Sequence, residues 1–529
     1  MKYSFYSLLL GSLLLLLSSC FDQLNVAPED PNVVLADDLY QTSEAYLQAL
    51  AGVYANLSLT GAEGPASSNI AGIDAGTSQY GRGLWNLQVL ATDEAIWSWE
   101  NDPGLAEIQR STWSPANVLL RGMYGRGMAQ VAFANEFLRQ TTSEVLDERG
   151  VGSELRQEIS VYRAEVRFLR ALAYYHMLDL FGRCAFTVES DPVGAYQAPQ
   201  ADQAALFSFI ETELLAIETD LIAPRQHDYA RADRGAAWML LAKLYLNAEV
   251  YVGQDRYADC ISYCENIIDA GYTLADNYLE LFMADNDVNA ASQEIIFAIV
   301  SDGITTQNYG PTTLAVNGQV GAQESNGEDF GVNAGGWGGA LRVSRQFSEV
   351  FLNGSYDQDA RNTLITEDRP IDIQNISDFN SGYIIGKWSN LKADGTRGSA
   401  LEIVDTDFPM FRLADVYLMY AESQLRGGGG SASRALDLVN ALRSRAGNPE
   451  AVTELSLDLL LDERLVELHW ESHRRQDLIR FGRFTGAGYP WSWKGNAANG
   501  IALPEHRVLY PLPSESLAAN PNLSQNPGY

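Results

Sequence analysis

Cysteine is scarce in this chain: four in 529 residues. Cys20 closes an apolar leader, which leaves Cys184, Cys260 and Cys264, an odd number. Cys260 and Cys264 lie one helical turn apart, a spacing poorly suited to a disulfide, and no nearby Cys or His completes a metal set. A disulfide framework is therefore not expected, and these thiols belong in the core. Positive charge is also short, with 36 Lys and Arg against 68 Asp and Glu and a net charge of -32. Phosphate binding needs clustered Lys and Arg, so the charge balance argues against nucleic acid and anionic lipid surfaces as partners, and the ligand should be neutral or cationic. The apolar run Leu8 to Leu17 is too short to span a membrane as a helix.

What is present is helical periodicity. In Ala236 to Ala270, the residues Ala237, Leu241, Leu244 and Ala248 fall on one helical stripe. After Gly253, Tyr257, Ile261, Cys264 and Ile268 form a second, which predicts two antiparallel helices packed face to face. Trp238, Leu241, Ala242 and Tyr245 match the W-x2-L-G-x2-Y signature of a tetratricopeptide repeat, with Ala in place of Gly. A small residue followed three later by Tyr returns at Ala51/Tyr54, Ala171/Tyr174 and Ala414/Tyr417. The intervals are irregular and long, so the expectation is an all-α superhelix of tetratricopeptide-like pairs interrupted by large, loop-rich insertions. Glu165 to Phe186 reads as a long helix stopped by Gly182, with Leu206 to Leu221 as its return, and Phe411–Leu425 with Ala432–Arg445 as the last pair. The C-terminal stretch, rich in proline, is expected to wrap over this scaffold as extended chain. Length alone would allow about three domains, but the interleaved repeats predict one, over residues 36–529 with insertions at about 60–115 and 298–346.

The insertions carry the candidate site. Ile73 to Trp113 holds four of the ten Trp in a Gly- and Asp-rich context. Trp97 and Trp99 flank Ser98, so an extended backbone would point both the same way and offer two parallel rings. With Asp74, Arg82, Asn101 and Asp102 around them, such rings suit the apolar C–H faces and polar edges of a sugar; burial in the core is the competing reading. The second insertion, Phe297 to Phe347, contains Tyr309 and the Gly335–Gly339 run around Trp337, either an uncovered ring or a tight turn against a buried one.

Other motifs fail on inspection. Asp285, Asp287 and Asn289 open like a calcium loop, but Ala290 and Ile296 stand where Gly and the bidentate Glu belong, so the stretch reads as a solvated turn. No cofactor, metal or catalytic residue is predicted, a structural calcium ion included. His469 and His473 are one turn apart, but Trp470 occupies the place where a zinc protease needs Glu. The surrounding Arg464, Arg474, Arg475 and Arg480 with Glu463, Glu467, Glu471 and Asp477 read as an i,i+4 ion-pair lattice. At the N-terminus, Lys2, the apolar run and Leu17-Ser-Ser-Cys20 form a processing segment that resembles a lipoprotein leader. Residues 1–19 would be removed, Cys20 acylated, and residues 20–35 would form a tether.

Together these motifs resemble the SusD/RagB family of outer-membrane lipoproteins. The carriers are Glu165–Ala171 with Leu180-Phe-Gly, Arg234-Gly-Ala-Ala, Asp407–Glu422, Glu463–Leu468 with His473–Leu478, and the final Asn-Pro-Gly-Tyr. The resemblance runs from Cys20 to Tyr529. It implies a non-catalytic, surface-exposed, lipid-anchored outer-membrane protein that captures glycan as the lid of a SusC-like TonB-dependent transporter. Similarity to the starch-binding branch implies that Asp74, Arg82, Trp97, Trp99, Tyr309 and Trp337 contact α-glucan, with Asn101 and Asp102 ambiguous by one position. Fructan or another neutral glycan, a peptide-importing lid, and a Trp-lined glycoside hydrolase remain the alternatives.

Overall fold

A computed structural model describes residues 39–529. The expected leader, the Cys20 lipidation site and the tether therefore lie outside the described residues. Eleven helices of eight or more residues form the scaffold: α1 Ser43–Ser58, α2 Tyr80–Gln88, α3 Val118–Gln140, α4 Ser153–Phe181, α5 Gln203–Ile217, α6 Arg234–Leu246, α7 Tyr257–Asp269, α8 Pro311–Gly318, α9 Leu413–Leu425, α10 Ala432–Arg445 and α11 Leu457–Leu468. Their starts are marked in the sequence. Asn117 accepts from the amides of Leu119 and Leu120 at 3.0 and 3.2 Å, and Asp233 from Ala236 at 3.0 Å, so side chains satisfy the free N–H groups of the first turn. Gly182, at φ 67°, ends α4 as expected.

The helices pack in pairs, most of them neighbours in sequence: α3 with α4, α4 with α5, α6 with α7, α7 with α9, and α9 with α10. The all-α superhelix is therefore what forms. Close approach depends on small residues: a Cβ on Gly127 of α3 would lie 2.5 Å from the Met177 methyl of α4. In the signature helix Ala242 is fully buried while Trp238 reaches the edge and donates its indole N–H to Glu218 at 2.8 Å. Cys184, Cys260 and Cys264 are free and buried, as expected of core thiols.

Strands are few and pair only in twos: β1 Ile96–Trp97 with β5 Leu341–Arg342, β2 Cys184–Ala185 with β3 Gln200–Ala201, β4 Ile295–Ile299 with β8 Phe408–Arg412, and β6 Leu364–Ile365 with β7 Ile384–Ile385. The first of these pairs matters below.

Three expectations need correction. The long helix begins at Ser153, well before Glu165. The C-terminal stretch is not extended throughout, because Ser514–Ala519 is helical, although it does cross the scaffold: Tyr510 donates to the Leu180 and Leu87 carbonyls, and Asn526 caps Phe181. The ionic segment is not one helix carrying a surface lattice. It breaks at Trp470 and Ser472, both at positive φ, and its charges are buried and paired across the fold. Arg412 meets Glu294, Glu467 and Glu471 within 2.5–2.9 Å, Arg361 meets Asp359, Glu463 and Glu467, and Arg474 meets Asp93. Within the segment Asp477 pairs with Arg464 and Arg480, thirteen and three residues away, and not at the expected i,i+4 spacing. Burial holds His469 and His473 well below the usual imidazole range, so both are neutral at pH 7.

Candidate functional site

The two insertions meet through the β1–β5 ladder, in which Ile96 faces Arg342 and Trp97 faces Leu341. Ser98 continues the seam, donating its amide to Ala340 O at 2.8 Å and its hydroxyl to Gly339 O at 3.0 Å. The glycines around Trp337 are required by backbone geometry. Gly336, Gly338 and Gly339 all have positive φ, and a Cβ on Gly336 would lie 2.6 Å from Val320 Cβ. The Trp337 amide donates to Asn317 O at 2.9 Å, which fixes where the ring stands.

Three indoles converge there. Trp97 and Trp99 are 5.3 Å apart at 74°, Trp97 and Trp337 6.0 Å apart at 86°, and Trp99 and Trp337 6.3 Å apart at 42°. The expected parallel pair does not form. Trp97 lies at the base, 2% exposed, edge-on to the other two, while Trp99 is 37% exposed. The cause is local. β1 ends at Trp97, and the chain turns after it, with Asp102 N donating to Trp99 O at 3.1 Å. The Trp97 indole N–H is held by Asp102 Oδ2 at 3.0 Å, and Gln109 binds both its amide and its carbonyl, at 2.9 and 3.2 Å. The outer pair, Trp99 and half-buried Trp337, form a wall of two rings tilted at 42° over a fixed base. Of the other Trp in the first insertion, Trp85 and Trp113 belong to the core, bonded to Trp470 O and to the Tyr529 hydroxyl.

The polar candidates gather on the same side. Arg82 projects from α2 with its guanidinium 5.6 Å from the Trp97 ring centre, bonded to Asn86 Oδ1 at 3.2 Å and reaching Tyr309 O at 3.5 Å. Burial pushes it down to about 10, with Asp102 and Asp74 pulling the other way, so it stays charged. Asp74 is exposed and accepts from the Thr77 amide and hydroxyl at 2.8 and 2.9 Å. Between Asp74 and Tyr309 lies Gly76, whose Cβ would sit 3.5 Å from the Asp74 carboxylate and 3.7 Å from the Tyr309 ring. Burial, then the neighbouring Glu402 carboxylate, raises the Tyr309 phenol. Asn101 is exposed beside half-buried Asp102. Sequence reasoning missed Gln109 and Glu402, which support Trp97 and Tyr309; a Gln on a short helix and a Glu in a distant loop carry no local signal.

Rings facing outward with neutral and charged donors at their edges can stack on sugar faces and bind hydroxyls. Among the carboxylates of this region, Asp74 is bonded to Thr77, Asp102 to Trp97 and Glu100 to Gln109 and Arg110.

A model described as the SusD family matches residues 355–529, a stretch that does not include the three indoles. Over the whole chain, similarity is high to the "Starch-binding protein SusD" of Bacteroides thetaiotaomicron: 36% identity, covering 97% of this chain and 96% of that protein. The "SusD-like protein P25" of Formosa agariphila is 25% identical, over 97% and 96% of the two chains. Among solved structures, the "Surface glycan-binding protein A from Bacteroides uniformis" superposes with a TM-score of 0.71 at 19% identity, covering 92% of this chain and 99% of that one. A "Laminarin binding SusD-like protein" gives a TM-score of 0.65 at 20% identity, over 93% and 100%.

Proposed function

This chain belongs to the SusD family, and on that premise we propose that it is a cell-surface glycan-binding lipoprotein that captures neutral oligosaccharide, starch or maltooligosaccharide first. In this reading Cys20 carries the lipid that holds it on the outer membrane, and the domain hands its glycan to a SusC-like TonB-dependent transporter on which it sits as a lid. It does so without catalysis. The observation that carries the proposal is the pair of outer rings, Trp99 and Trp337, over a pinned Trp97, with Arg82 and Asp102 against Trp97 and with Tyr309 and Asp74 beside them. A helical α-glucan presents a curved apolar face to such a wall, and hydroxyls to the rim. The relative named for starch binding, similar along nearly its full length, supports the choice of glucan.

The energetics suit capture. Covering one face of an aromatic ring removes about 50 Å² of apolar area, on the order of 1 kcal/mol. Two rings, less the cost of ordering the sugar, give weak binding at one site, and many anchored copies meeting one polymer gain through avidity. Affinity electrophoresis of the purified chain through gels containing starch, fructan or xylan tests the proposal. Retardation by starch alone is expected. Retardation by fructan alone would keep the arc and change the glycan, and free migration in all three would sink glycan capture in favour of a peptide lid.

A further inference from the structure

Between α1 and α2 the chain runs from Leu59 to Gln79 without a helix or strand, and this loop carries Asp74. Loops of that length are uncommon in a compact domain and are held for a reason. One side chain of α3 does most of the holding. The Arg126 guanidinium is fully buried and donates from Nε to Ser78 O at 2.9 Å, from Nη1 to Asn69 Oδ1 at 2.6 Å, and from Nη2 to Thr60 O and Ser68 Oγ, both at 3.1 Å. These acceptors lie at the two ends and in the middle of the loop, and all are neutral. Burial pushes the guanidinium down to about 10, so it keeps its charge at neutral pH. A buried charge without a carboxylate depends on every dipole aimed at it, so the shape of the loop and the place of the cation fix one another. The surface of α3 is also cut away to receive the loop. A Cβ on Gly122 would lie 3.3 Å from Ser78 Cβ, and one on Gly125 3.1 Å from Ile73 Cδ1. Glycine weakens a helix interior, and close approach of the loop is the packing reason for these two. Half-buried Arg121 adds a bond to the Gly72 carbonyl.

We propose that Arg126 is a positioning residue of the glycan site: through the 59–79 loop it sets where the Asp74 carboxylate stands beside Tyr309. The route is short. Arg126 holds Ser78 O, the Ser78 amide donates to Asp74 O at 3.1 Å, and Thr77 between them donates its amide and hydroxyl to the Asp74 carboxylate. The turn is thus closed on itself and tied to the cation at its end. Gln79 follows, accepting the Arg82 amide at 2.6 Å and donating to Leu57 O at 2.6 Å, so the fixed end of the loop also registers α2 against α1. The rings are placed by a different device. Trp97, Trp99 and Trp337 stand along the β1–β5 seam, and Arg126 bonds none of them. Losing the clamp should therefore move Asp74 and leave the wall standing. The effect on binding rests on the glycan reading above, although the clamp itself does not.

Two variants of the full chain test this. Arg126→Lys keeps the charge but lacks the fork that reaches all four acceptors, and Ser68→Ala/Asn69→Ala removes two of those acceptors from the loop side, outside the core. Hydrogen exchange is read over residues 60–78, and maltooligosaccharide affinity by fluorescence titration well below each thermal midpoint. The proposal expects the amides of 60–78 to exchange about tenfold faster in Arg126→Lys, with 96–99 and 335–339 unchanged. Affinity should fall about tenfold, the worth of one hydrogen bond to a charged group. Ser68→Ala/Asn69→Ala should move both readouts the same way by less. In an Asp74→Ala background Arg126→Lys should cost no further affinity, because it acts through that carboxylate. A lowered thermal midpoint with native affinity would overturn the proposal and leave Arg126 a purely structural residue, as would losses that add in the combined variant. A native chain that binds no glycan, with the loop freed in the variant, would sink the glycan reading and leave the clamp. Equal exchange of 60–78 in all three chains would sink the clamp whatever the ligand.

Discussion

The indole wall and the buried ionic core use opposite materials for opposite tasks. At the indole wall the outer rings, Trp99 and Trp337, stand at the surface, and the cation Arg82 is buried beside Trp97. Around Arg412 and Arg361 the groups are charges with no access to water, each cation held by three carboxylates. Exposed rings bind a neutral ligand weakly and reversibly. Buried charges contribute little net attraction, but losing one leaves its partners uncompensated, so the network enforces one arrangement of the segments it joins. Changes at the wall should therefore alter binding and spare folding, and changes in the core should do the reverse.

The largest effect is expected from Arg412→Ala, which takes the shared cation from Glu294, Glu467 and Glu471 and leaves the interior with excess negative charge against Arg445, Arg361 and Lys387. We expect a loss of about 3–5 kcal/mol of stability in denaturant titration, with starch retention unchanged wherever the variant is still folded. Trp97→Ala crosses the divide, because this ring is both buried and the base of the wall. It should cost about 3 kcal/mol of stability through the cavity it leaves, and binding with it. If Trp97→Ala lost binding while keeping full stability, the ring would be a ligand contact and not a base. Trp99→Ala should weaken binding by about 1 kcal/mol, roughly fivefold, and leave the thermal midpoint unmoved.

The smallest effect is in the pH profile. Burial raises the Glu94 carboxyl to about 8, Asp407 to about 7 and Asp462 to about 6. The folded protein thus binds these protons more tightly than the unfolded chain, and stability falls as pH rises from about 4.5 through 8. In Glu422, Glu467, Asp415 and Asp477 burial pushes the carboxyl up, but their Arg and Lys partners outweigh it and hold them below the carboxylate range, so their contribution is lost as pH falls below about 4.5. The thermal midpoint should peak near pH ~5, and Asp407→Asn should flatten its decline on the alkaline side.

Periodicity revealed the scaffold because helix pairing is local: the stripes of Ala237–Ala248 and Tyr257–Ile268 and the stop at Gly182 needed no distant partner to be read. The site was legible as residue types, Trp97, Trp99 and Trp337 in glycine-rich surroundings, but not as geometry. Nothing near Trp97 announces that Asp102 and Gln109 will pin it under Trp99, since that depends on where β1 stops and meets β5. The ionic core was misread for the same reason. Charges four residues apart suggest a helix surface, and only the tertiary fold brings Glu467 to Arg361, Arg412 and Arg445.

The central claim is that Trp99 and Trp337 form the sugar-binding wall. The most direct test is a titration of intrinsic Trp fluorescence with maltooligosaccharides of increasing length, for the native chain and for Trp99→Ala/Trp337→Ala. The account predicts a saturable change in the native protein that strengthens with chain length, and no change in a double variant of native thermal midpoint. Equal binding by the two proteins would contradict it and move the site elsewhere on the molecule.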